Sequence, residues 1–370
     1  MRAMPAPPPI PTPPPPKAPA RSYILLDFAS SQVLAASNEH ERVEPASLTK
    51  IMTAYAVFDA LRAGSLQLTD LATISEHAWR AGGATTDGST SFLPVHSQAP
   101  VEVLLRGMIV QSGNDASIAL AERVAGSEEA FAQLLNAYAQ RLGMTQSHFK
   151  NATGLPAPDQ YVTAHDVALL SAAIVRDFPQ HYHFFSEREY TFNGITQHNR
   201  NGLLGRDSSV DGLKTGHTAK AGYCLATSAK RGDMRLVAVV MGAASVRARE
   251  DANAALLNYG FNFFESKQLY AAGQSLSRVR VWQGAQNELA LGVNRTFAVA
   301  TPRGRFAQLQ VNVQAPAAVV APVSKDAPLG AVTISLDGKT LASEPLHALN
   351  DVAQAGFLGR TFDALLMKLE

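Results

Sequence analysis

Ser47-Leu48-Thr49-Lys50 sets a hydroxyl and an amine three residues apart, directly after Pro45-Ala46. If a helix opens there, the two side chains share one face about a turn apart, and the amine reaches the hydroxyl. A serine hydroxyl is a weak nucleophile until a base takes its proton, and an ammonium group cannot take it. Lys50 must then be neutral for part of a reaction cycle, which burial or a second cation favours. The helix start also leaves the Ser47 backbone N–H able to meet a developing oxyanion. Taken alone, the pair equally describes a serine cap followed by a solvated lysine.

Two further clusters change that balance. Ser112-Gly113-Asn114 joins a second hydroxyl to an amide, and Lys214-Thr215-Gly216 joins a cation and a hydroxyl to a residue without a side chain. Lys214 and Thr215 suit a substrate carboxylate, while Gly216 lets an extended substrate approach a strand closely. Ser112 can relay a proton between Lys50 and a leaving group, and Asn114 can donate to a substrate carbonyl. This chemistry is acyl transfer through a serine, and it needs no metal or organic cofactor.

The elements that must hold these groups are legible in part. Tyr23–Asp27 and Gln32–Ala35 read as a β-hairpin, and a helix runs from the Ser47 motif through Ala63 to a stop at Gly64. Leu48, Ile51, Tyr55 and Phe58 mark an apolar stripe on that helix. A helical region follows from about Val101 to Leu142, broken at Gln111 to Asn114 and near Gly126. Strands are predicted at Ser209–Thr215, Tyr223–Ala229 and Arg235–Met241, with a covering helix at about Arg249–Phe263. Strands at both ends with helices between them predict an α+β domain whose sheet is closed by both termini. Beyond about Lys267, short alternating runs such as Leu309–Val313 and Val332–Leu336 predict a small all-β domain. From Gly356, Leu358, Phe362, Leu365 and Leu369 recur at helical spacing, either docked on the protein or lying in a membrane surface.

Composition bounds the rest. The 370 residues suit two domains, and 46% hydrophobic content supplies a sizeable core. Lys plus Arg number 32 against 31 for Asp plus Glu, so no charge excess points to nucleic acid. Cys224 is the only cysteine, which excludes an internal disulfide and suits a buried small hydrophobe. No stretch reaches the roughly 20 apolar residues of a membrane-spanning helix. Residues 1–20 carry a basic start but no apolar segment, and their prolines favour a disordered, extended spacer. The expected organisation is thus a tail at 1–20, a catalytic domain at 21–266, a β-rich domain at 267–351 and an amphipathic helix at 352–370.

The three motifs, in this order, match the set shared by penicillin-binding proteins and class A β-lactamases. Together with Asp211–Thr218, Phe192-Asn193-Gly194-Ile195 and Asn199–Leu204, they make residues from about 21 to 360 resemble the low-molecular-mass D-Ala-D-Ala carboxypeptidases of the penicillin-binding protein 5 type. The resemblance implies a β-lactamase/DD-peptidase-like catalytic domain, a β-rich domain and a C-terminal helix on the periplasmic face of the inner membrane. It also implies peptidoglycan stem peptides ending in D-Ala-D-Ala as substrates, and β-lactams as covalent inhibitors. Ser47 would be acylated with Lys50 as base, helped by Ser112 and Lys214. The oxyanion hole would be formed by the N–H groups of Ser47 and His217. Asn114, Thr215, Gly216, Arg249 and Arg200 would bind substrate; outside that resemblance, Arg249 reads as a surface cation and Arg200 as a structural donor.

Two departures stand out. Ser91 replaces a methionine in the Gly88–Leu93 loop, which predicts an altered subsite for the stem peptide, and the last helix stops at Glu370, before the aromatic end of relatives. Two other functions compete. A class A-like β-lactamase needs a glutamate between the second and third motifs, but none lies between Glu129 and Glu187, and Asp159 or Asp166 would have to serve. A non-catalytic penicillin-binding scaffold would not need Ser47, Lys50 and Lys214 intact.

Overall fold

The helix that carries Lys50 is buried on every side over its first ten residues. In the computed structural model, which describes residues 11–84, 88–357, 361, 363, 366 and 367, α1 spans Thr49–Arg62. Every residue from Thr49 to Phe58 is buried, where the sequence predicts only a stripe. The difference has a physical source: Thr53, Ala54 and Ala56 are small enough for neighbours to pack against the face that polarity alone would turn to solvent. Thr53 satisfies its hydroxyl by donating to the Ala152 carbonyl at 2.8 Å. The helix stops where Gly64 takes a φ of +73°, a left-handed conformation suited to glycine.

α2 (Val101–Arg106) packs on α3 (Asn114–Ala125), and around α1 pack α3, α4 (Glu128–Arg141) and α5 (Ala164–Asp177). The predicted breaks fall at Ser112-Gly113 and at Gly126, which has a φ of +82°. Ser127 caps α4 by accepting from the Ala130 N–H, and Thr163 caps α5 by accepting from the Asp166 N–H. An aromatic cluster locks the buried end of α1, with Phe58 5.7 Å from Phe178 and 6.3 Å from Phe185 between ring centres.

One five-stranded antiparallel sheet completes this unit. Its strands are β1 (Ser22–Asp27), β2 (Val33–Ser37), β3 (Val210–Thr218), β4 (Gly222–Arg231) and β5 (Met234–Ala243), in the order β2-β1-β5-β4-β3. The N-terminal strand β1 pairs with β5, Ser22 opposite Met241, so both ends of the unit close the sheet. Ile24 and Leu26 of β1 face the core that contains α1. On the other face, Gly260 of α6 (Val246–Phe263) sits where an added Cβ would lie 2.5 Å from Leu236 and 3.0 Å from Leu25, so the helix needs a glycine to pack this closely. β3, which carries Lys214-Thr215-Gly216, lies at the sheet edge and runs to Thr218, which places His217 within the strand.

The second unit is all β. Its strands are β6 (Phe264–Tyr270), β7 (Ser275–Trp282), β8 (Glu288–Gly292), β9 (Phe297–Pro302), β10 (Gln310–Gln314), β11 (Ala318–Val320), β12 (Pro328–Leu336) and β13 (Lys339–Ala348). Six form a sheet in the order β10-β12-β13-β8-β7-β11, and β6 pairs with β9. Val281, Leu291, Val299, Ile334 and Leu346 fill its core. Val352 also belongs to this core: it is buried and bridges Val323, and Gln354 bridges Gly284. These residues therefore belong to the β unit and not to a helix starting at 352; spacing along the chain cannot reveal a partner in another strand. Leu358, Phe362, Leu365 and Leu369, which carry the expected amphipathic pattern, lie outside the described residues.

Phe58→Ala is expected to destabilise the catalytic unit by about 3–5 kcal/mol through lost burial and a residual cavity. Urea unfolding measures this, and a change below about 1 kcal/mol would contradict the central place given to α1.

Candidate active site

Three acceptors surround the Lys50 ammonium position. Nζ lies 3.0 Å from Ser47 Oγ, 2.7 Å from Asn114 Oδ1 and 2.8 Å from the Thr153 carbonyl. None of the three is a carboxylate. Burial, then the Arg200 charge, pulls the Lys50 amine down from its usual value to about 7, against a weaker upward pull from Asp115 and Glu128. The amine can thus be neutral near physiological pH, with its lone pair available to the Ser47 O–H. Ser47 itself sits on a tight turn, Ala46–Leu48, directly before α1. Ala46 has a φ of +46°, a left-handed conformation unusual for alanine that lifts the chain into the nucleophile's position.

Thr153 and Gly154 enter the site without a motif to announce them. Asn151 Oδ1 accepts from the N–H groups of Thr153 and Gly154, at 3.3 and 2.7 Å, and folds this segment into a turn. Gly154 has a φ of +83°, and an added Cβ would lie 1.7 Å from the Ala46 carbonyl. From outside, Glu128 Oε1 accepts from the Ala152 N–H at 3.0 Å, while its second oxygen pairs with His77 at 2.7 Å. Glu128 thereby steadies the loop whose carbonyl holds Lys50. The only sequence clue was the turn-forming Asn151-Ala152-Thr153-Gly154 itself.

Ser112 ends a short π-helical turn, Gly107–Gln111, in a left-handed conformation with φ of +71°. It lines the same cleft as Ser47, but its buried Oγ makes no hydrogen bond among the described residues. Asn114, at the start of α3, is held by its N–H donating to the Ser89 carbonyl at 2.8 Å. With Oδ1 engaged by Lys50, its amide N–H groups remain to donate to a ligand. The neighbouring Asp115 organises the Thr90–Leu93 loop, accepting from the N–H groups of Ser91 and Leu93 and from Thr90 Oγ1. Ser91 is correspondingly buried. Its hydroxyl fills the space beside Gly113, where an added Cβ would come within 2.0 Å. Ser91 itself lies behind the cleft surface: its backbone is drawn inward by Asp115, and Gly88 and Ser89 of the same loop line the cleft.

The third motif forms the opposite wall of a cleft of about 460 Å³. Lys214 is buried, and among the described residues its Nζ donates only to the Thr215 carbonyl, at 3.3 Å. Burial, followed by the charges of Lys50, Arg200 and Arg249, drives its amine well below the usual lysine value. Gly216 passes so close to the nucleophile that an added Cβ would lie 3.2 Å from the Ser47 nitrogen. His217 is exposed and stacks on Tyr223 at 4.1 Å, a partner that sequence reasoning did not single out. Arg249 is buried, contrary to its reading as a surface cation, because α6 aims it under the β3–β4 pair. Its Nη1 donates to the carbonyls of Gly216 and Cys224, at 3.2 and 3.4 Å, and its Nε has no acceptor. Arg200 lines the cleft at its exposed rim. Cys224 is buried opposite Gly216, and burial pushes its thiol up to about 11. Asp166 is also buried, and its carboxylate accepts from the Gln146 N–H and the Ser147 hydroxyl. Among the described residues, no three histidines, cysteines or carboxylates gather as a metal site.

The model of the D-alanyl-D-alanine carboxypeptidase family matches residues 10–245. The chain belongs to that family. Residues 264–354 match the C-terminal domain of penicillin-binding protein 5. The chain is 44% identical over 352 residues to D-alanyl-D-alanine carboxypeptidase DacC of Escherichia coli strain K12, a match covering 94% of this chain and 88% of that one. Penicillin-binding protein 5 from Haemophilus influenzae has a crystal structure matching with a TM-score of 0.87 and 41% identity, over 92% of this chain and 99% of that one. Penicillin-binding protein D2 from Listeria monocytogenes, in its ampicillin-bound form, matches with a TM-score of 0.61 and 27% identity over 67% of this chain and 99% of that one. The activity is that of a serine-type D-Ala-D-Ala carboxypeptidase.

Two outcomes test this geometry. If neutral Lys50 is the base, kcat/KM should rise about tenfold per pH unit below about 7 and level off above it, because only the deprotonated amine acts. A profile that is flat from pH 5 to pH 8 would remove Lys50 from that role. Gly154→Ala should cut acylation at least about a hundredfold by displacing Ala46 and the Thr153 carbonyl, since small misplacements at a reacting centre have effects of that order. Stopped-flow acylation by a chromogenic β-lactam measures it, and a normal rate would show that the loop is dispensable.

Proposed function

We propose that this carboxypeptidase removes the terminal D-alanine of peptidoglycan stem peptides through an acyl-enzyme on Ser47. The observation that carries the proposal is the buried Lys50 amine, 3.0 Å from Ser47 Oγ and without a carboxylate to hold its proton. Lys50 takes the Ser47 proton as Oγ attacks the carbonyl carbon of the penultimate D-alanine. The oxyanion is received by the backbone N–H groups of Ser47 and His217. Ser112, whose hydroxyl has no partner among the described residues, relays the proton now on Lys50 to the departing nitrogen, the C–N bond breaks and D-alanine leaves. Water then adds to the ester, and the shortened peptide departs with a new carboxylate while Ser47 recovers its proton.

Specificity for a chain end follows from charge. Arg200 and Arg249 line the cleft, Arg249 Nε has no acceptor among the described residues, and a bound carboxylate would hold on Lys214 the proton that burial loosens, an arrangement that favours a ligand bearing a carboxylate. Thr215 adds a hydroxyl, and the open side of β3 lets an extended peptide add as a strand, with Gly216 giving it room and Asn114 donating to its carbonyl. β-Lactams carry a reactive carbonyl and a carboxylate in a compact ring system, so they acylate the same serine. A class A-like β-lactamase reading is disfavoured because Asp166 is committed to Gln146 and Ser147 and faces no water-activating task. The preserved Ser47–Lys50 contact disfavours a non-catalytic scaffold.

The proposed setting is the periplasm, with the segment after Gly356 resting on the inner membrane. Among the described residues no helix is long and apolar enough to cross a membrane, while the spacing of Leu358, Phe362, Leu365 and Leu369 suits a helix lying in its surface.

D-alanine release from a peptide ending in D-Ala-D-Ala should be abolished by Ser47→Ala, together with covalent labelling by fluorescent penicillin. Labelling that persists in the variant would place the nucleophile elsewhere. Removal of residues 357–370, which spares Val352 and Gln354, should leave this activity unchanged and lower binding to anionic liposomes. Undiminished liposome binding would return the segment to a docked, structural role.

A further inference from the structure

β10 (Gln310–Gln314) closes one edge of the six-stranded sheet and, among the described residues, pairs only with β12. All five of its residues are exposed, and its sequence, Gln-Val-Asn-Val-Gln, contains no charge and no proline. The register with β12 runs without a bulge. Charges, prolines and bulges are the usual means by which an edge strand is kept from pairing with another chain, and this one has none of them. Its apolar side chains are also placed for a partner. Val311 stands opposite Ile334 and Val313 opposite Val332, both fully buried, and residues directly opposite across a ladder share a face. Val311 and Val313 therefore continue the core face of the sheet to its edge, where they remain 46% and 37% exposed.

The sequence of the strand is a palindrome centred on Asn312. We propose that two copies of this chain associate by antiparallel pairing of β10 with itself, about a two-fold axis at Asn312. Val311 of one copy then stands opposite Val313 of the other, Gln310 opposite Gln314, and Asn312 opposite its own counterpart. Such self-complementarity is what a two-fold interface requires, since each patch must match its own image. The two Val311–Val313 pairs cover the exposed end of the core face, and the unpaired backbone groups of both edges find partners. A five-residue ladder is a small interface, so the dimer is weak and depends on concentration.

The register makes the proposal testable with the full-length chain. Opposed Cα atoms in either kind of antiparallel pair lie within disulfide reach, while residues displaced along the ladder do not. Native Cys224 is buried and gives a low background. Under mild oxidation, Asn312→Cys should be trapped as a dimer at least about tenfold more than Gln310→Cys, whose counterpart across the axis is Gln314. The double variant Gln310→Cys, Gln314→Cys should restore trapping. Val311→Lys should abolish the concentration-dependent sedimentation of the unmodified protein, and D-alanine release should be the same for all variants. Equal trapping of Asn312→Cys and Gln310→Cys, no trapping of either, or an unmodified protein that stays monomeric to millimolar concentration would each overturn the proposal.

Discussion

The catalytic unit depends on keeping one amine out of water without giving it a carboxylate. Had Lys50 met an aspartate or glutamate at hydrogen-bond distance, it would hold its proton and Ser47 would remain a weak nucleophile. Its acceptors are instead a hydroxyl, an amide oxygen and a backbone carbonyl, all neutral. The acidic groups that act on it do so from a distance: Asp115 is occupied by the Thr90–Leu93 loop, and Glu128 by the Ala152 N–H and His77. Complete burial of the first ten residues of α1 supplies the desolvation, and the glycine at 154 supplies the clearance that lets a carbonyl approach.

This constraint links the three motifs physically. Asn114 is at once a ligand for Lys50 and the start of α3, so the second motif fixes the geometry of the first. Gly216 runs against the Ser47 turn, so the third motif fixes the position of the nucleophile as well as that of the substrate. Arg249 joins β3 to β4 through the carbonyls of Gly216 and Cys224 while contributing charge beneath the cleft. Removing any one of these groups therefore disturbs more than its own contact, and their mutational effects will not add.

The sequence carried the reactive residues and most element positions because both rest on local information. Ser47 to Lys50 is a helical spacing, and Gly64 and Gly126 are recognisable stops. What it could not carry were contacts made across the fold. The Thr153 carbonyl is a backbone group with no residue signature, and Glu128 reaches it through Ala152 from 24 positions away. Ser91 looked like a cleft residue until Asp115, on another element, drew its backbone inward. Arg249 looked like a surface cation because its burial depends on the β3–β4 pair lying above it. Val352 looked like part of a helix because its bridge partner, Val323, is 29 positions away and lies outside the strands.

Full burial of α1 also bears on how activity is lost. Most enzymes place catalytic groups on segments that open locally, at lower cost than the fold as a whole. Here the lysine lies in the first turn of a helix with no solvent-facing side over its first ten residues, so that turn has no route to fray alone. Its backbone amides should exchange with solvent only when the whole catalytic unit opens. Heat or denaturant should accordingly leave no window in which the protein is folded but chemically silent, and inactivation and unfolding should follow a single curve.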